Sequence, residues 1–565
     1  MKIPREWFKK NFLRDQFKRY LPYLGFSLVF ILSLVALFNP YYFDDFIIIR
    51  DNAWLYEFNP FRWFHSFYLD SYQLFPGYRP FLMVSFWLNQ LFFGSHIAIF
   101  RLGNILIHVF NGVLAYRLLR RILSQHFSRE IILGMVLLFL LHPVQSLAIN
   151  FIWKRSTLLE TFFILLGLNL HLELVSRGQS LKRILVTHLT LFVLMLGIKE
   201  SGILYPLWIY AFHMFFLPGK NQPIKLYVVM GIVATLFYGF RVIYMNNQLT
   251  AMRTTIPDWR SVGSMDYLLW SVNEVPKMIL GMVFPNPLII SDPLFEPASV
   301  PLAFLIFIPS VLLLLVTLKS RFYHKPHIVF AVLLIILSFV PSNTIVPLYF
   351  VSDQIRLYLP ILGFSILLGS LLSSRVVSRV IPSSVMIVGF VFLYAIQFVS
   401  QNRRYHYPQL IWQDVVYSYP ESGLAWGELG GVLQAQKRFG EAGLAFFLAA
   451  KYEKTKPGYT IRAIDNMIKS NTSDGVIEDL LDDLTLEHLG VADVVNLATV
   501  YVQLDDFQRA ENLLFYAIEV NPDFSPAYQR LGILYEIMGQ PEKAKTFYEK
   551  AIERNPSDET SKQRL

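Results

Sequence analysis

The chain of 565 residues is 54% apolar and only 16% charged, and it contains 49 phenylalanines. The apolar content exceeds that of ordinary globular proteins, and it falls in runs long enough to cross a bilayer as helices of about 20 residues. The net charge is +9 and the chain has no cysteine, which excludes disulfides, cysteine zinc sites and thiol nucleophiles.

The N-terminal segment predicts a retained membrane helix rather than a cleaved signal peptide. Residues 1–20 hold seven Lys and Arg, and the apolar segment that follows has no small-residue cleavage site. The apolar runs predict about eleven membrane spans in all. These spans are 21–39, 97–119, 131–150, 158–175, 184–198, 202–218, 226–245, 299–318, 327–345, 357–373 and 381–399.

The loops between the predicted spans indicate the orientation in the membrane. If the basic N-terminus is cytoplasmic, the cytoplasmic loops are rich in Lys and Arg and nearly free of acids, as the positive-inside rule requires. The opposite side then receives loop 40–96, a short loop near 151–157, loop 246–298 and everything after about residue 400. Two aromatic stretches of the first loop, 54–70 and 79–93, are expected to lie in the membrane interface.

The C-terminal part becomes polar at about residue 403 and has a period of 34 residues. The same residue recurs after that interval at four positions, in the pairs Leu497/Leu531, Ala510/Ala544, Ala517/Ala551 and Pro522/Pro556. This period is typical of tetratricopeptide repeats (TPRs), whose helix pairs stack into a solenoid with a concave surface for a protein or peptide. The predicted repeats are 423–456, 457–490, 491–524 and 525–558, the second of them degenerate. A purely structural cap is the alternative.

The predicted fold class is all-α. Residues 1–402 form a polytopic membrane helix bundle, 403–422 a connecting helix and 423–565 a TPR α-solenoid. The short loops and the lack of cysteine favour a bacterial inner membrane, with the solenoid in the periplasm. No Walker-type loop, no GxGxxG after a strand and no HExxH motif is present, which argues against ATP-driven transport. The basic residues lie in cytoplasmic loops, so nucleic-acid binding has no support.

Two adjacent acids, Asp44 and Asp45, follow the first predicted span inside an aromatic cluster. An apolar surround and a neighbouring acid both raise the pKa of a carboxyl group. Such a pair can accept a proton, hold a cation or bind hydroxyl groups. The alternative is a solvated loop.

Other candidates lie near the predicted outer ends of the spans, where ionisable residues usually serve a function. Arg79 and Arg155 suit phosphate recognition because the guanidinium fork matches phosphate oxygens, with lipid headgroup contact as the alternative. His108, read alone, is better explained as a packing residue, and the pair Lys199/Glu200 has a structural alternative. The remaining candidates are Asn104, His142, Trp153, Asp353, Arg356 and Tyr358, of which Arg356 is another phosphate candidate.

Six motifs in order resemble the TPR-containing transmembrane O-mannosyltransferases and their bacterial relatives, within the GT-C glycosyltransferase superfamily. They are FDDFIIIRDN, GYRPFLMVSFWLNQLFFG, FRLGNILIHVFNGVLAYRLLRRI, LLFLLHPVQSLAINFIWKRSTLLETFF, IKESGILYPLWIY and QIRLYLPILGF. The resemblance covers nearly the whole chain, least in 246–298 and the second repeat. The chain departs from the family at Gln145-Ser146-Leu147, where a His-Thr-Glu run is usual.

The resemblance implies a GT-C-like bundle that transfers a sugar, with inversion, from a polyprenyl-phosphate carrier to a protein or glycan acceptor on the outer face. It implies Asp44 as the base, Asp45 as a ligand of sugar or acceptor, and Arg79, Arg356 and Arg155 as ligands of the departing phosphate. Some members use a divalent cation, Mg²⁺ or Mn²⁺, for which Asp44 and Asp45 would be the ligands here. The donor and acceptor pocket would include Asn104, His108, His142, Trp153, Lys199, Glu200 and Tyr358.

Two rival interpretations remain open from the sequence: a non-enzymatic scaffold, and a transporter or O-antigen ligase-like protein. In a non-enzymatic membrane scaffold, the repeats would assemble partners and the two acids would be incidental. A transporter should place its ionisable residues near the middle of the bilayer, whereas here they cluster at helix ends. An O-antigen ligase-like enzyme, acting on a diphosphate-linked glycan, is disfavoured only by the family motifs.

Overall fold

The computed structural model describes residues 5–42, 45–50, 52, 55, 79–217, 220, 223–252, 278–285, 325–339, 354–453, 456–472, 474–482, 484, 489–555 and 558–565. The chain divides into two compact units, Met1–Ile411 and Trp412–Leu565. Within the residues that the structure describes, every regular element is helical, as the predicted all-α class requires.

The first unit is a bundle of helices. Its helices are α1 Arg5–Ser33, α2 Pro80–Phe93, α3 Ile97–Leu123, α4 Arg129–Leu141, α5 Gln145–Asn150, α6 Arg155–Ser176, α7 Leu181–Leu196, α8 Tyr205–Phe216, α9 Ile224–Met252, α10 Pro326–Phe339, α11 Pro360–Leu372, α12 Arg375–Ser378 and α13 Ser383–Arg404. Helix α14, Pro408–Ser418, contains the division between the two units. Short 3-10 turns, Leu34–Phe38, Ile152–Lys154, Glu200–Leu204 and Gln354–Leu357, lie between these helices, and Phe46–Arg50 forms a π-helical turn.

Four segments among the described residues are long and apolar enough to cross a membrane. They are Lys18–Phe38, Ile97–Leu123, Ile152–Ser176 and Ser383–Arg404. Shorter apolar helices of the same unit are Pro80–Phe93, Ile224–Phe237, Pro326–Phe339 and Pro360–Leu372. The predicted span 299–318 and most of the stretch 54–70 lie outside the described residues, so the count of about eleven spans stays a prediction.

The predicted span 131–150 is not one continuous helix. Helix α4 ends at Leu141, His142 is extended with φ −59° and ψ 131°, and α5 begins at Gln145. The interruption lies at Pro143, because proline has no N–H to donate and disfavours the helical conformation in the residue before it. The break matters for the site, because the chain after it passes through the short helix α5 into the Ile152–Lys154 turn that precedes α6.

Close helix contacts in the bundle depend on small residues, as is usual where lipid removes the hydrophobic drive for association. At Gly363 of α11, an added Cβ would lie 2.4 Å from the carbonyl oxygen of Ala331 in α10. The two backbones can therefore approach this closely only with glycine at position 363.

The second unit contains four helix pairs that begin at the predicted repeat boundaries or within a residue of them. The pairs are α15 Gly423–Ala435 with α16 Phe439–Tyr452, α17 Gly458–Lys469 with α18 Asp474–Asp482, α19 Val491–Gln503 with α20 Phe507–Val520, and α21 Ser525–Ile537 with α22 Pro541–Arg554. A last helix, α23, spans Glu559–Arg564. The predicted TPR solenoid is confirmed.

Each helix pair turns at a residue with left-handed backbone conformation. These residues are Lys437, Asn471, Asp505 and Gly539, spaced 34 residues apart with φ between 54° and 71°. The second repeat, expected to be degenerate, therefore has the same turn as the others and differs by its short second helix. The four repeats share a backbone conformation at this position and not a residue type, so the sequence alone does not show it.

Candidate active site

Asp45 lies at the centre of the candidate site and is fully buried. Its backbone N–H donates to the carbonyl oxygen of Tyr42 over 2.8 Å. Its carboxylate accepts hydrogen bonds from the backbone N–H groups of Ile152 (3.1 Å) and Trp153 (2.9 Å). The Ile152–Lys154 turn before α6 thus presents N–H donors to a buried acid, which compensates part of the cost of its burial.

Arg79 and Glu200 form a bidentate ion pair beside this turn. The Nε and Nη2 atoms of Arg79 donate to the two carboxylate oxygens of Glu200 over 3.0 and 2.7 Å. The guanidinium of Arg79 also lies 5.1 Å from the centre of the Trp153 ring. Through Trp153, the structure connects the predicted phosphate ligand Arg79 to the turn that binds Asp45.

Lys199 pairs with an acid that the sequence analysis did not single out. Its Nζ donates to Glu160 Oε2 over 2.7 Å and to Thr157 Oγ1 over 3.2 Å, and Ser201 Oγ donates to the other oxygen of Glu160. Glu160 and Thr157 lie in the first two turns of α6, and Lys199 to Ser201 precede α8. Lys199 and Glu200 therefore pair with different partners, and the two adjacent ion pairs hold this segment against α2 and α6.

Arg155 is buried, and most of its donors are used within the protein. Its guanidinium donates to Asn104 Oδ1 (2.8 Å), Asn89 Oδ1 (2.9 Å) and the carbonyl oxygens of Ser85 and Phe100. Asn104 in turn donates to carbonyl oxygens of the 148–152 segment. These contacts position α6 and the turn before it, and they favour a structural role for Arg155 over phosphate binding.

His108 and Tyr358 belong to a buried hydrogen-bond network inside the bundle. The Tyr358 hydroxyl lies 2.7 Å from His108 Nδ1 and accepts from Asn111 Nδ2 over 3.2 Å. His108 Nε2 lies 3.0 Å from the carbonyl oxygen of Leu140. This geometry agrees with the packing interpretation of His108.

His142 lies in a different environment. Its Nε2 is 3.0 Å from the carbonyl oxygen of Met282, and its ring packs edge-on against Tyr394 at 4.8 Å. The structure thus groups Asp45, Trp153, Arg79, Glu200 and Lys199, and it gives His142, His108 and Tyr358 other partners.

Asp44 and Asp353 lie outside the described residues, while Arg356 lies in the Gln354–Leu357 turn before α11. The described residues contain no group of three His, Asp or Glu that could hold a metal ion. A divalent cation at Asp44 and Asp45 therefore stays a prediction.

Sequence reasoning also missed a set of buried polar residues that join the segments on either side of Asp45. They are Asn39, Arg101, Asn150 and Asn402. A signal was available, because polar residues inside or at the ends of apolar spans are costly unless they are bonded and so usually have a purpose. Arg101 and Asn402 both lie in such segments.

The fold and the site define a polytopic membrane protein with a TPR solenoid. The tetratricopeptide repeat family model matches residues 525–558. Along 93% of its length the chain is 24% identical to "Protein O-mannosyl-transferase TMTC3" of Mus musculus and 23% identical to the Homo sapiens protein of the same name. The chain spans 63% of the length of each of these relatives.

These matches confirm the resemblance read from the motifs: the chain contains TPRs and apolar helices long enough to cross a membrane, and it is similar to proteins named as O-mannosyl-transferases. Two solved structures align with much lower similarity. "Crystal structure of MamA" is 18% identical over 27% of this chain and 89% of that one, with a TM-score of 0.23. "Crystal Structure of the Yeast Tom70" is 14% identical over 73% of this chain and 91% of that one, also with a TM-score of 0.23. Scores this low do not bear on function.

Proposed function

We propose that the chain is a membrane glycosyltransferase that moves a sugar from a polyprenyl-phosphate carrier to an acceptor hydroxyl on the extracytoplasmic face. The observation that carries the proposal is the buried Asp45 carboxylate, held by the turn that also contacts Arg79. The name of the relatives supports mannose as the sugar and a protein Ser or Thr as the acceptor.

In the proposed reaction the acceptor oxygen attacks the anomeric carbon from the face opposite the phosphate. The new C–O bond forms as the bond from the anomeric carbon to the phosphate oxygen breaks, and the polyprenyl phosphate leaves with the electron pair. The acceptor proton passes to the carboxylate of Asp44 as general base. Asp45, fixed by two N–H donors, orients the sugar or acceptor hydroxyl groups.

Cationic groups stabilise the negative charge that develops on the departing phosphate. Arg79 and Arg356 are the proposed ligands. Glu200 holds the guanidinium of Arg79 in one orientation. A bound phosphate would either share this guanidinium with the Glu200 carboxylate or displace the carboxylate from it. We assign Arg155 to positioning of α6 rather than to the phosphate, because its donors bind Asn104, Asn89 and two carbonyl groups.

The test is sugar transfer from a panel of radiolabelled polyprenyl-phosphate sugars by the full chain in membranes. Asp44→Asn should lower the rate by about 10²–10⁴-fold, the usual contribution of a general base. Asp45→Asn is expected to lower it as well, whereas Asp523→Asn, an exposed acid of the solenoid, serves as the matched control. Parallel assays with a chelator test whether transfer requires a divalent cation.

The contrary result is also defined. If the wild-type chain transfers no sugar from any donor, and cells carrying either variant are indistinguishable from wild type, the scaffold interpretation replaces this one. The TPR solenoid would then be the functional part, as an assembly surface for protein partners. Under the proposed function, the same solenoid recruits the acceptor or a partner.

A further inference from the structure

Arg101, in the first turns of α3, bonds to two separate segments of the chain: the segment that leads to Asp45 and the segment that precedes the donors to its carboxylate. Its side chain is fully buried. Nε donates to the carbonyl oxygen of Asn150 over 3.1 Å, and the two terminal nitrogens donate to the carbonyl oxygens of Asn39 and Pro40. The rigid guanidinium fork therefore fixes the segment that leads to Asp45 relative to the segment that donates to its carboxylate.

The buried charge of Arg101 is compensated by a nearby acid. An isolated buried cation costs several kcal/mol unless an opposite charge and hydrogen bonds compensate for the lost water. Asp45 is a buried anion close enough for an electrostatic interaction with Arg101. The two buried charges thus stabilise each other, and the position of either one depends on the other.

Three buried asparagines extend this contact to the last helix of the bundle. Asn39 Nδ2 donates to Asn150 Oδ1 (2.5 Å) and to the carbonyl oxygen of Asn402 (2.9 Å). Asn150 Nδ2 donates to Asn402 Oδ1 over 2.7 Å. Asn402 lies near the C-terminal end of α13, which is more than 350 residues from Asn39 along the chain.

Three aromatic rings also connect the Asp45 segment and the segment before Ile152 to the end of α13. The rings of Tyr42, Phe151 and Tyr405 form a triangle with centroid distances of 5.3, 5.7 and 5.8 Å. Tyr42 accepts the backbone N–H of Asp45, and Phe151 immediately precedes the two residues that donate to its carboxylate. Tyr405, the residue after α13, therefore contacts both segments that hold Asp45.

From this geometry we infer that Tyr405 and Asn402, acting with Arg101, are positioning residues for Asp45. The inference rests on the proposed function, since it concerns the active-site acid of that reaction. The C-terminal end of α13 keeps the Asp45 segment and the Ile152–Lys154 turn at a fixed separation. A displacement of about 1 Å at a catalytic site can cost about 100-fold in rate, so these contacts act on the rate without touching the substrate.

The first test separates the turnover number from substrate binding in the full chain. Tyr405→Ala removes the ring contacts and should lower kcat by about 100-fold while the KM for the lipid donor changes less than about threefold. Tyr405→Phe keeps the ring and should retain kcat within about threefold. Ile387→Ala is the matched control, because Ile387 is buried in α13, the helix that Tyr405 follows, but packs against Gly134 in α4.

The second test does not depend on activity. Hydrogen exchange of the backbone N–H groups of Ile152 and Trp153 reports directly on their bonds to Asp45. Exchange at these positions should become at least about tenfold faster in Tyr405→Ala and stay unchanged in Tyr405→Phe and Ile387→Ala, since losing 1.4 kcal/mol of local stability corresponds to that factor.

The two tests together distinguish the two hypotheses. Faster exchange in Tyr405→Ala without any transfer by the wild-type chain would overturn the proposed function and keep the positioning of Asp45. Normal wild-type transfer, with Tyr405→Ala unchanged in both kcat and exchange, would overturn the positioning role. Equal loss of kcat in Tyr405→Phe and Tyr405→Ala would also overturn it, because the ring contacts would not be the cause.

Discussion

The two units of the chain treat polar side chains in different ways. In the bundle, Arg101, His108 and Asn150 are completely buried, and each bonds to groups far away in the sequence. In the solenoid, the buried positions are mostly small or aliphatic residues, such as Ala442 and Leu531, contributed by neighbouring helices.

The difference follows from the solvent. A polar group in the hydrocarbon region has no water to bond, so each one must find a partner inside the protein. Three buried histidines illustrate this requirement, because they bond to one another. His171 bonds to His188 over 3.1 Å and to His213 over 2.9 Å, and His188 bonds to the hydroxyl of Tyr205. A solenoid repeat in water contacts only its neighbours, so its contacts are local.

The largest expected effect in this comparison concerns the ion pair of Arg79 and Glu200. Arg79→Leu should lower the rate of transfer by about 10²–10³-fold, as is typical when one group that stabilises the transition state is removed. Exchanging the two residues, with Arg79→Glu and Glu200→Arg together, should restore folding but not transfer, because the cation then lies at the wrong position. Rates and thermal stability of both variants check this. Full activity of the exchanged protein would show that the pair is only structural.

A smaller effect compares the same substitution in the two units. Gly363→Ala in the bundle places a methyl group 2.4 Å from the Ala331 carbonyl oxygen and should destabilise the bundle by about 1–3 kcal/mol. Gly431→Ala, inside α15 with no atom within 4 Å of the added Cβ, should stabilise the solenoid by about 1 kcal/mol. Hydrogen exchange of the backbone amides in each unit measures both changes in stability. Similar effects of the two substitutions would contradict the difference in packing.

The smallest effect is a pH dependence in the solenoid. Hydrogen bonds from the Tyr548 hydroxyl, and then from Arg564, lower the pKa of Glu536 below its ordinary value. A lowered folded-state pKa means that the added stability is present above the unfolded pKa of about 4.3 and is lost as the pH falls through the folded pKa. The gain stays below about 1 kcal/mol, because Glu536 and Arg564 are 50% and 42% exposed.

Thermal unfolding of wild type and Glu536→Gln at several pH values tests this dependence. The wild type should be slightly more stable at pH 7, and the difference should shrink and then disappear as the pH falls below the lowered folded-state pKa, where the carboxyl group of both folded and unfolded chains is protonated. A difference that persists unchanged in acid would show that Glu536 acts through packing rather than through its charge.

Much of the fold could be predicted from the sequence. Apolar runs located most of the described bundle helices to within a few residues, and the 34-residue period placed the solenoid helices. The exceptions have local causes, such as the break at Pro143. The candidate site was predicted less completely: Asp45, Arg79, Trp153, Lys199 and Glu200 do lie together, but Glu160 and Arg101 were not identified as their partners.

The sequence by itself determined what depends on neighbours along the chain: the membrane class, the helices and the TPR period, because hydrophobic periodicity and repeat spacing are local properties. Tertiary structure alone decided that Arg155 bonds internally, that Glu160 pairs with Lys199, and that Asn402 meets Asn39 and Asn150. These residues are tens to hundreds of positions apart, and no local pattern records which polar groups meet. Only the folded bundle, where every buried donor needs an acceptor, brings Asp45 and its supporting residues together.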